Sequence, residues 1–244
     1  MNTAEYERMY KLEDTYWWFV ARRALVEAEI FKYYQNRTDL TILDLGCGTG
    51  SMSAHLSKRG HVISADYSPH ALKFCASRGE RGLVRSDAMQ LPIASESVDM
   101  VVTMDVLEHL EYDEKALCEI HRILRPGGHV FATVPAYPSL WGEHDVALMH
   151  YRRYLIPQLR SRVESSGLNV VRITHCMAML YPLMALQRKL SARKPYNNPP
   201  RAAMPNLPPV INTLLIFLLR FENALTKHIN WWFGSTILCI ATKH

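Results

Sequence analysis

The run Thr41-Ile-Leu-Asp-Leu-Gly-Cys-Gly-Thr-Gly50 constrains this chain more than any other stretch. A short apolar strand enters three alternating glycines and leaves into Ser51-Met-Ser-Ala-His-Leu-Ser-Lys58, a segment that reads as helix. Gly46, Gly48 and Gly50 lack the Cβ atoms that keep a backbone away from a ligand, and they admit positive φ in a tight turn. The helix start beyond them offers unpaired N–H groups. Strand, glycine turn and helix in that order predict a cofactor cradle; the alternative is a tight turn that holds nothing.

After the glycines, short apolar runs alternate with helical stretches. Residues 61–65 read as a strand ending in Asp66, and 68–77 as a helix with a serine cap and Pro69 in its first turn. Residues 82–85 read as a third strand ending near Asp87, and 98–104 as a fourth ending at Asp105. A helix over 113–124 stops at Arg125-Pro-Gly-Gly128, and a fifth strand over 129–134 is closed by Pro135. Strands recurring between helices of this length predict a doubly wound, mostly parallel sheet with helices on both faces. Ligands of such sheets bind at the carboxyl ends of the strands, where four carboxylates, Asp44, Asp66, Asp87 and Asp105, are expected to converge.

The rest of the chain reads as parts of the same single domain, 1–244. Residues 1–37 form an N-terminal helical cap in two pieces, 38–135 the cofactor-binding core, and 136–177 an acceptor-side loop, helix and strand. Residues 178–230 form a helical insertion and 231–244 the last strand. Within the insertion, helices over about 180–191 and 210–227 flank a proline-rich link, and the second is apolar nearly all round. Such a helix is buried, lies in a dimer interface, or rests on a membrane.

Composition sets the class. Hydrophobic residues make up 48% and charged residues 21%, ordinary for a packed domain, and a formal charge of +5 spread along the chain does not point to nucleic acid. Five cysteines without a CxxC pair read as free thiols, and the first residues lack an apolar secretory segment, so the expected setting is cytoplasmic. No window reaches the roughly 18 uninterrupted apolar residues of a membrane span.

Leu43-Asp-Leu-Gly-Cys-Gly-Thr-Gly50, Asp66-Tyr-Ser-Pro69, Ser86-Asp-Ala88 with Leu91-Pro92, Val98-Asp99, Asp105-Val-Leu-Glu-His109 and Leu124-Arg-Pro-Gly-Gly128 form an ordered set. In this set the chain resembles the class I S-adenosylmethionine-dependent methyltransferases. The resemblance implies a Rossmann-like, seven-stranded α/β sheet, with the helical insertion falling before the last strand. It implies S-adenosylmethionine as cofactor and S-adenosylhomocysteine as product. Asp44, Gly46, Cys47 and Gly48 would lie around the methionine moiety, Asp66 and Tyr67 by the ribose, Asp87 and Ala88 by the adenine, and Met104 along the cofactor. A sulfonium donor wants acceptors and aromatic faces rather than phosphate-gripping donors. A nicotinamide nucleotide fits less well, because position 51 is Ser and Gly50 falls one place early for G-x-G-x-x-G.

The expected reaction moves a methyl group to an oxygen or nitrogen of a small, hydrophobic or lipid-linked acceptor. His109 and Glu108, just past the fourth strand, are the candidates for removing the acceptor's proton. No metal is the expectation, with Asp105, Glu108 and His109 as a weaker alternative ligand set that lacks an evident partner histidine. Trp17, Trp18, Arg23, Tyr137, Trp141, His144, His150 and Arg153 are the expected acceptor-side residues, and Arg22 and Arg23 are placed to close over the cofactor carboxylate. Paired arginines at 152 and 153 would suit an acidic acceptor. A homodimer and a peripheral membrane contact through 207–233 remain expectations, as do the alternatives of a non-catalytic accessory protein or a peripheral membrane protein.

Overall fold

A computed structural model describes residues 3–191, 200, 202 and 204–244. Part of the proline-rich link therefore lies outside the described residues. Helices α1 (Thr3–Leu12) and α2 (Trp17–Tyr34) precede β1 (Leu40–Leu45), α3 (Ser51–Leu56), β2 (Gly60–Asp66), α4 (Pro69–Ser77) and β3 (Leu83–Arg85). Then come β4 (Val98–Met104), α5 (Asp113–Ile123), β5 (Leu124–Pro135), the short α6 (Glu143–Ala147), α7 (Ile156–Ser165) and β6 (Asn169–Cys176). The chain closes with α8 (Tyr181–Ser191), α9 (Pro209–Thr226) and β7 (Thr236–Thr242).

The strands form one seven-stranded sheet in the order β3-β2-β1-β4-β5-β7-β6. Strands β1 to β5 are parallel, and β7 is antiparallel to both β5 and β6. The order reverses beside β1, so the glycine turn opens at the switch point between β1 and β4, where such sheets bind ligands.

Alternation along each strand divides the core. Leu43, Val101, Val130 and Ala132 face α5 and α7 through Leu117, Ile120, Leu159 and Val163. Ile42, Met100, Val102 and Phe131 face the other way, against Leu25, Val26 and Ile30 of α2 and Met52 and Leu56 of α3. Both layers hold the mouth of the sheet between them.

One boundary differs from expectation. Arg125-Pro-Gly-Gly128 does not separate α5 from a later strand; β5 starts at Leu124, opposite Val98. The glycines are drawn into the sheet because Gly127 N–H donates to the Lys243 carbonyl at 2.7 Å and Lys243 N–H to Gly128 at 3.1 Å.

The insertion packs on the body by one face only. Glu222, fully buried, accepts from the Ala178 and Met179 amides at 2.9 Å each. Asn223 donates to the Ala21 carbonyl at 2.8 Å, and Asn212 accepts from Trp17 N–H at the start of α2. The opposite face leaves Val210, Leu214, Phe217 and Phe221 exposed, with Leu183, Leu186 and Leu190 of α8 and Trp232 beside them. Among the described residues α9 is the one helix long and apolar enough to cross a membrane, yet Glu222 and Asn223 pin it flat against the domain.

Glu222→Ala strands two amide N–H groups in the interior, each costing about 1–3 kcal/mol. Urea unfolding of this variant is expected to show a loss of about 2–5 kcal/mol; a loss below about 1 kcal/mol would show that Glu222 does not anchor α9.

Candidate functional site

The cradle is built as its residue types require. Gly46 and Gly48 sit at φ +71° and +55°, the left-handed region that side chains disfavour. A Cβ on Gly46 would lie 2.2 Å from Val106, and one on Gly48 would lie 2.7 Å from the Met9 methyl. Asp66, at the end of β2, accepts from Gly48 N–H at 3.0 Å and from Ser68 N–H at 2.8 Å. Burial raises its carboxyl above the usual range, with those backbone donors pulling the other way. Asp44 is buried under the turn, bonded to Ser53 Oγ at 2.6 Å, and burial pushes it up to about 7.

Of the remaining cofactor candidates, Cys47 is buried with its sulfur 3.6 Å from that of Cys75. Tyr67 is 71% exposed beside Asp66, and Asp87 accepts from Met89 N–H at 2.9 Å at the end of β3, with Ala88 buried next to it. Met104 ends β4 and packs partly buried below the switch point. The strand-end set thus converges on one mouth.

The sequence gives no sign of the latch over this mouth. Glu13 and Asp14 lie in the break between α1 and α2. Glu13 is buried; it accepts from Thr49 Oγ1 at 2.5 Å and from Arg78 at 2.7 Å, while Asp14 accepts from Ser51 Oγ at 2.7 Å and Arg78 at 2.8 Å. Arg23 donates to the Glu13 carbonyl and to Ser51 Oγ, so it belongs to this latch and not to an acceptor pocket. Tyr6, half a turn from Met9 on α1, is buried near Asp66, and burial pushes its hydroxyl up to about 12. An acidic dipeptide between two helices has no local periodicity, which is why it escaped a sequence reading.

Trp17 and Trp18 also move from their expected place. They pack around Ala21, Met177, Leu180 and Leu219, docking α2 on α9. Trp18 keeps one polar duty, since the Arg22 guanidinium stands 4.0 Å over its ring. Arg22 is buried, forms an ion pair with Asp105, and has no partner at Nε. Burial lowers it to about 10, opposed by Glu108, so it stays charged near neutrality. Asp105 sits at φ +56°, an unusual conformation for a non-glycine residue, with Thr133 Oγ1 donating to it at 3.2 Å.

Beyond Asp105 the chain makes one short turn over Leu107–His109. Glu108 is fully buried, and neither carboxylate oxygen has a partner. Burial pushes it up to about 8 against the pull of Arg22 and Arg153. Burial and the neighbouring His150 push His109 down to about 3, which makes it a neutral but weak base at neutral pH. The partner histidine that the sequence does not reveal is His150: its ring lies 4.6 Å from that of His109, edge to face. Asp105 is not part of this group, because Arg22 and Thr133 hold it.

On the acceptor side, the paired arginines are structural. Arg153 is buried, donating to Asp145 at 2.7 Å and to the Ala136 carbonyl at 3.1 Å, and Arg152 pairs with the buried Asp113 at 2.8 Å. A buried carboxylate requires such a counter-charge, so neither arginine is left for an acidic acceptor. Burial would raise Asp145, but bonds from His150 and Arg153 hold it at about 2. His144 is enclosed nearby, and burial lowers it to about 3. Tyr137 stacks on His175 at 5.0 Å, touches Tyr181 at the start of α8, and donates to the Trp232 carbonyl. Trp141 is partly exposed at the same rim.

These residues fit the sulfonium cofactor. Gly46 and Gly48 leave a backbone that a ligand can approach, Asp66 is a half-buried acceptor suited to ribose hydroxyls, and Arg22 is a buried cation with an unpartnered N–H suited to a carboxylate. The arginines that reach the turn, Arg23 and Arg78, are engaged by Glu13, Asp14, Thr49 and Ser51 rather than left for a pyrophosphate.

Residues 43–132 match the family described as methyltransferase domain. The chain is 33% identical over 148 residues to the phthiotriol/phenolphthiotriol dimycocerosates methyltransferase of Mycobacterium leprae, covering 56% of this chain and 55% of that protein. It is 34% identical over 135 residues to the demethylmenaquinone methyltransferase of Clavibacter sepedonicus, covering 52% and 53%. A crystal structure of a SAM-dependent methyltransferase from Archaeoglobus fulgidus shares the fold, with a TM-score of 0.57 at 18% identity over 91% of this chain and 94% of that one. The matched part spans about half the length of the two curated relatives. By this match residues 43–132 form a methyltransferase domain, and the seven-stranded sheet that holds it has the fold of the solved methyltransferase.

Asp44 makes the cradle's stability depend on pH. Its folded carboxyl keeps a proton to about 7, whereas an unfolded Asp loses it near 4, so its contribution is full below about pH 4 and is lost as pH rises through about 7. Urea midpoints are expected to fall between about pH 5 and about pH 8, and Asp44→Asn to flatten that fall by on the order of 1–4 kcal/mol. An unchanged slope in the variant would show that Asp44 is already ionised in the fold.

Proposed function

We propose that this protein is a cytoplasmic enzyme that transfers the methyl group of S-adenosylmethionine to an oxygen or nitrogen of a hydrophobic, lipid-linked acceptor. The observation that carries the cofactor half is the half-buried Asp66 carboxylate bonded to Gly48 N–H at the switch point. Bound there, the cofactor supplies an electrophilic methyl carbon. The chain's task is to align the acceptor with it and exclude water. Arg22 and Asp44 offer the methionine end a cation and a buried acceptor, while Asp66 orients the ribose.

The acceptor half rests on the apolar face of α8 and α9. Phe217 is 74% exposed and Trp232 90%, and the face carries Lys189, Arg220 and Lys227 at its margin. An apolar strip with a basic margin and a protruding tryptophan suits an anionic lipid surface. Tyr137, Tyr181 and Phe233 form a continuous aromatic path from that strip to the end of β5. Two relatives act, by their names, on phthiotriol dimycocerosates and on demethylmenaquinone, in keeping with an apolar acceptor here.

Calorimetry with S-adenosylhomocysteine is expected to show binding by the wild type and at least a tenfold loss (about 1.4 kcal/mol) in Asp66→Ala. Silence in the wild type, or equal binding in the variant, contradicts the cofactor assignment. In flotation with anionic vesicles the full chain is expected to rise with the lipid and the double variant Leu214→Asp, Phe217→Asp to stay behind. Both side chains are exposed, so the changes leave the core intact. A wild type that does not float points to a soluble acceptor.

A further inference from the structure

Glu108, His109 and His150 bring one carboxylate oxygen and two imidazole nitrogens within 4.8 Å of one another. The group is enclosed: Glu108 is fully buried, and the His150 side chain is 5% exposed. Both oxygens of Glu108 and Nε2 of His150 lack any hydrogen-bond partner. Buried polar atoms are ordinarily satisfied, and three orphans in one cluster call for an occupant that accepts lone pairs.

The surroundings orient these atoms outward from their own support. His150 Nδ1 is bonded to Asp145 at 3.0 Å, and Asp145 is fixed in turn by Arg153 at 2.7 Å and by Gly142 N–H at 2.9 Å. That bond places the proton on Nδ1 and the lone pair on Nε2. The Leu148 backbone lies beside the His109 ring, and one His109 ring nitrogen stands within reach of Glu108 and His150 as a ligand atom. An acceptor behind an imidazole is the arrangement that fixes tautomer and direction in metal-binding histidines. Met149, between the Leu148 carbonyl and His150, sits at φ +61°, so the backbone is bent where the two histidines meet.

We propose that Glu108, His109 and His150 form a binding site for a divalent transition-metal ion of the zinc or iron(II) type. Two imidazoles and one carboxylate suit such borderline ions and leave coordination positions open. Magnesium and calcium, which want oxygen ligands, are disfavoured. An ion there would lower the pKa of an acceptor hydroxyl and so generate the nucleophile without a strong protein base. The site stands independently of the cofactor assignment.

The test uses full-length protein stripped with a chelator and titrated with Co2+, followed by visible absorption, and with Zn2+, followed by calorimetry. The wild type is expected to take up one equivalent and to develop d–d bands. His150→Gln and Glu108→Gln are expected to weaken binding by more than about 100-fold, and Asp145→Asn, which keeps all three ligands but removes the charge behind His150 and beside Arg153, by about 10–100-fold. His150→Cys replaces one ligand by another, and is expected to retain the ion and add a sulfur-to-cobalt charge-transfer band. Circular dichroism of each variant separates lost binding from lost fold. Absence of bands and of binding heat in the wild type, or binding in folded His150→Gln equal to wild type, overturns the proposal.

Discussion

Gly48 N–H and the Asp66 carboxylate meet at 3.0 Å, and much of the site depends on that contact. It joins the glycine turn after β1 to the end of β2 at the point where the sheet changes direction. The bond exists because a side chain at position 48 would strain the left-handed turn and run into Met9. It also fixes a half-buried acceptor at the end of β2. Around it, Asp44 braces the turn from below through Ser53, and Glu13 and Asp14 close it from above through Thr49, Ser51 and Arg78. The cradle is therefore held by charges on three separate elements, α3 and α4 being tied to the break before α2.

The acceptor side follows a second logic, in which buried carboxylates recruit the arginines. Asp145 takes Arg153 and His150, and Asp113 takes Arg152, Arg162 and the Tyr154 hydroxyl. Removing one partner from such a cluster leaves an uncompensated buried charge, typically about 3–5 kcal/mol. The loop after β5 is thus braced by buried ion pairs, and Tyr137 and Trp141 rather than its arginines are the side chains left at its rim. That agrees with the exposed apolar face of α8 and α9, which Tyr137 and Tyr181 connect to it.

The core was legible because its signals are local. Short apolar runs marked the strands, a serine cap and Pro69 marked α4, and each of the first four strands announced its end with a carboxylate. The mostly parallel, doubly wound sheet followed from that rhythm, and the seventh strand falls within the stretch 231–244 expected to hold the last one. What escaped depends on contacts between distant residues. Nothing in Glu13-Asp14 says that Arg78 will meet it; nothing near His109 says that His150 will stand beside it. The same limit explains the misreadings of Arg153, Arg23 and the two tryptophans: each residue type suits ligand recognition, but a buried carboxylate or a docking helix claimed it first. The Arg125–Gly128 break was misread because the pairing that makes it strand comes from the far end of the chain.

The central claim is that the turn over Gly46–Gly50 and the end of β2 hold S-adenosylmethionine. A difference density map from crystals grown with S-adenosylhomocysteine addresses it most directly. The account predicts the ribose hydroxyls within hydrogen-bonding distance of Asp66 and the methionine carboxylate near Arg22, with the Met9 side chain of α1 displaced from Gly48. Density for the ligand elsewhere on the sheet, or a ribose that leaves Asp66 bonded only to Gly48 and Ser68, would contradict it.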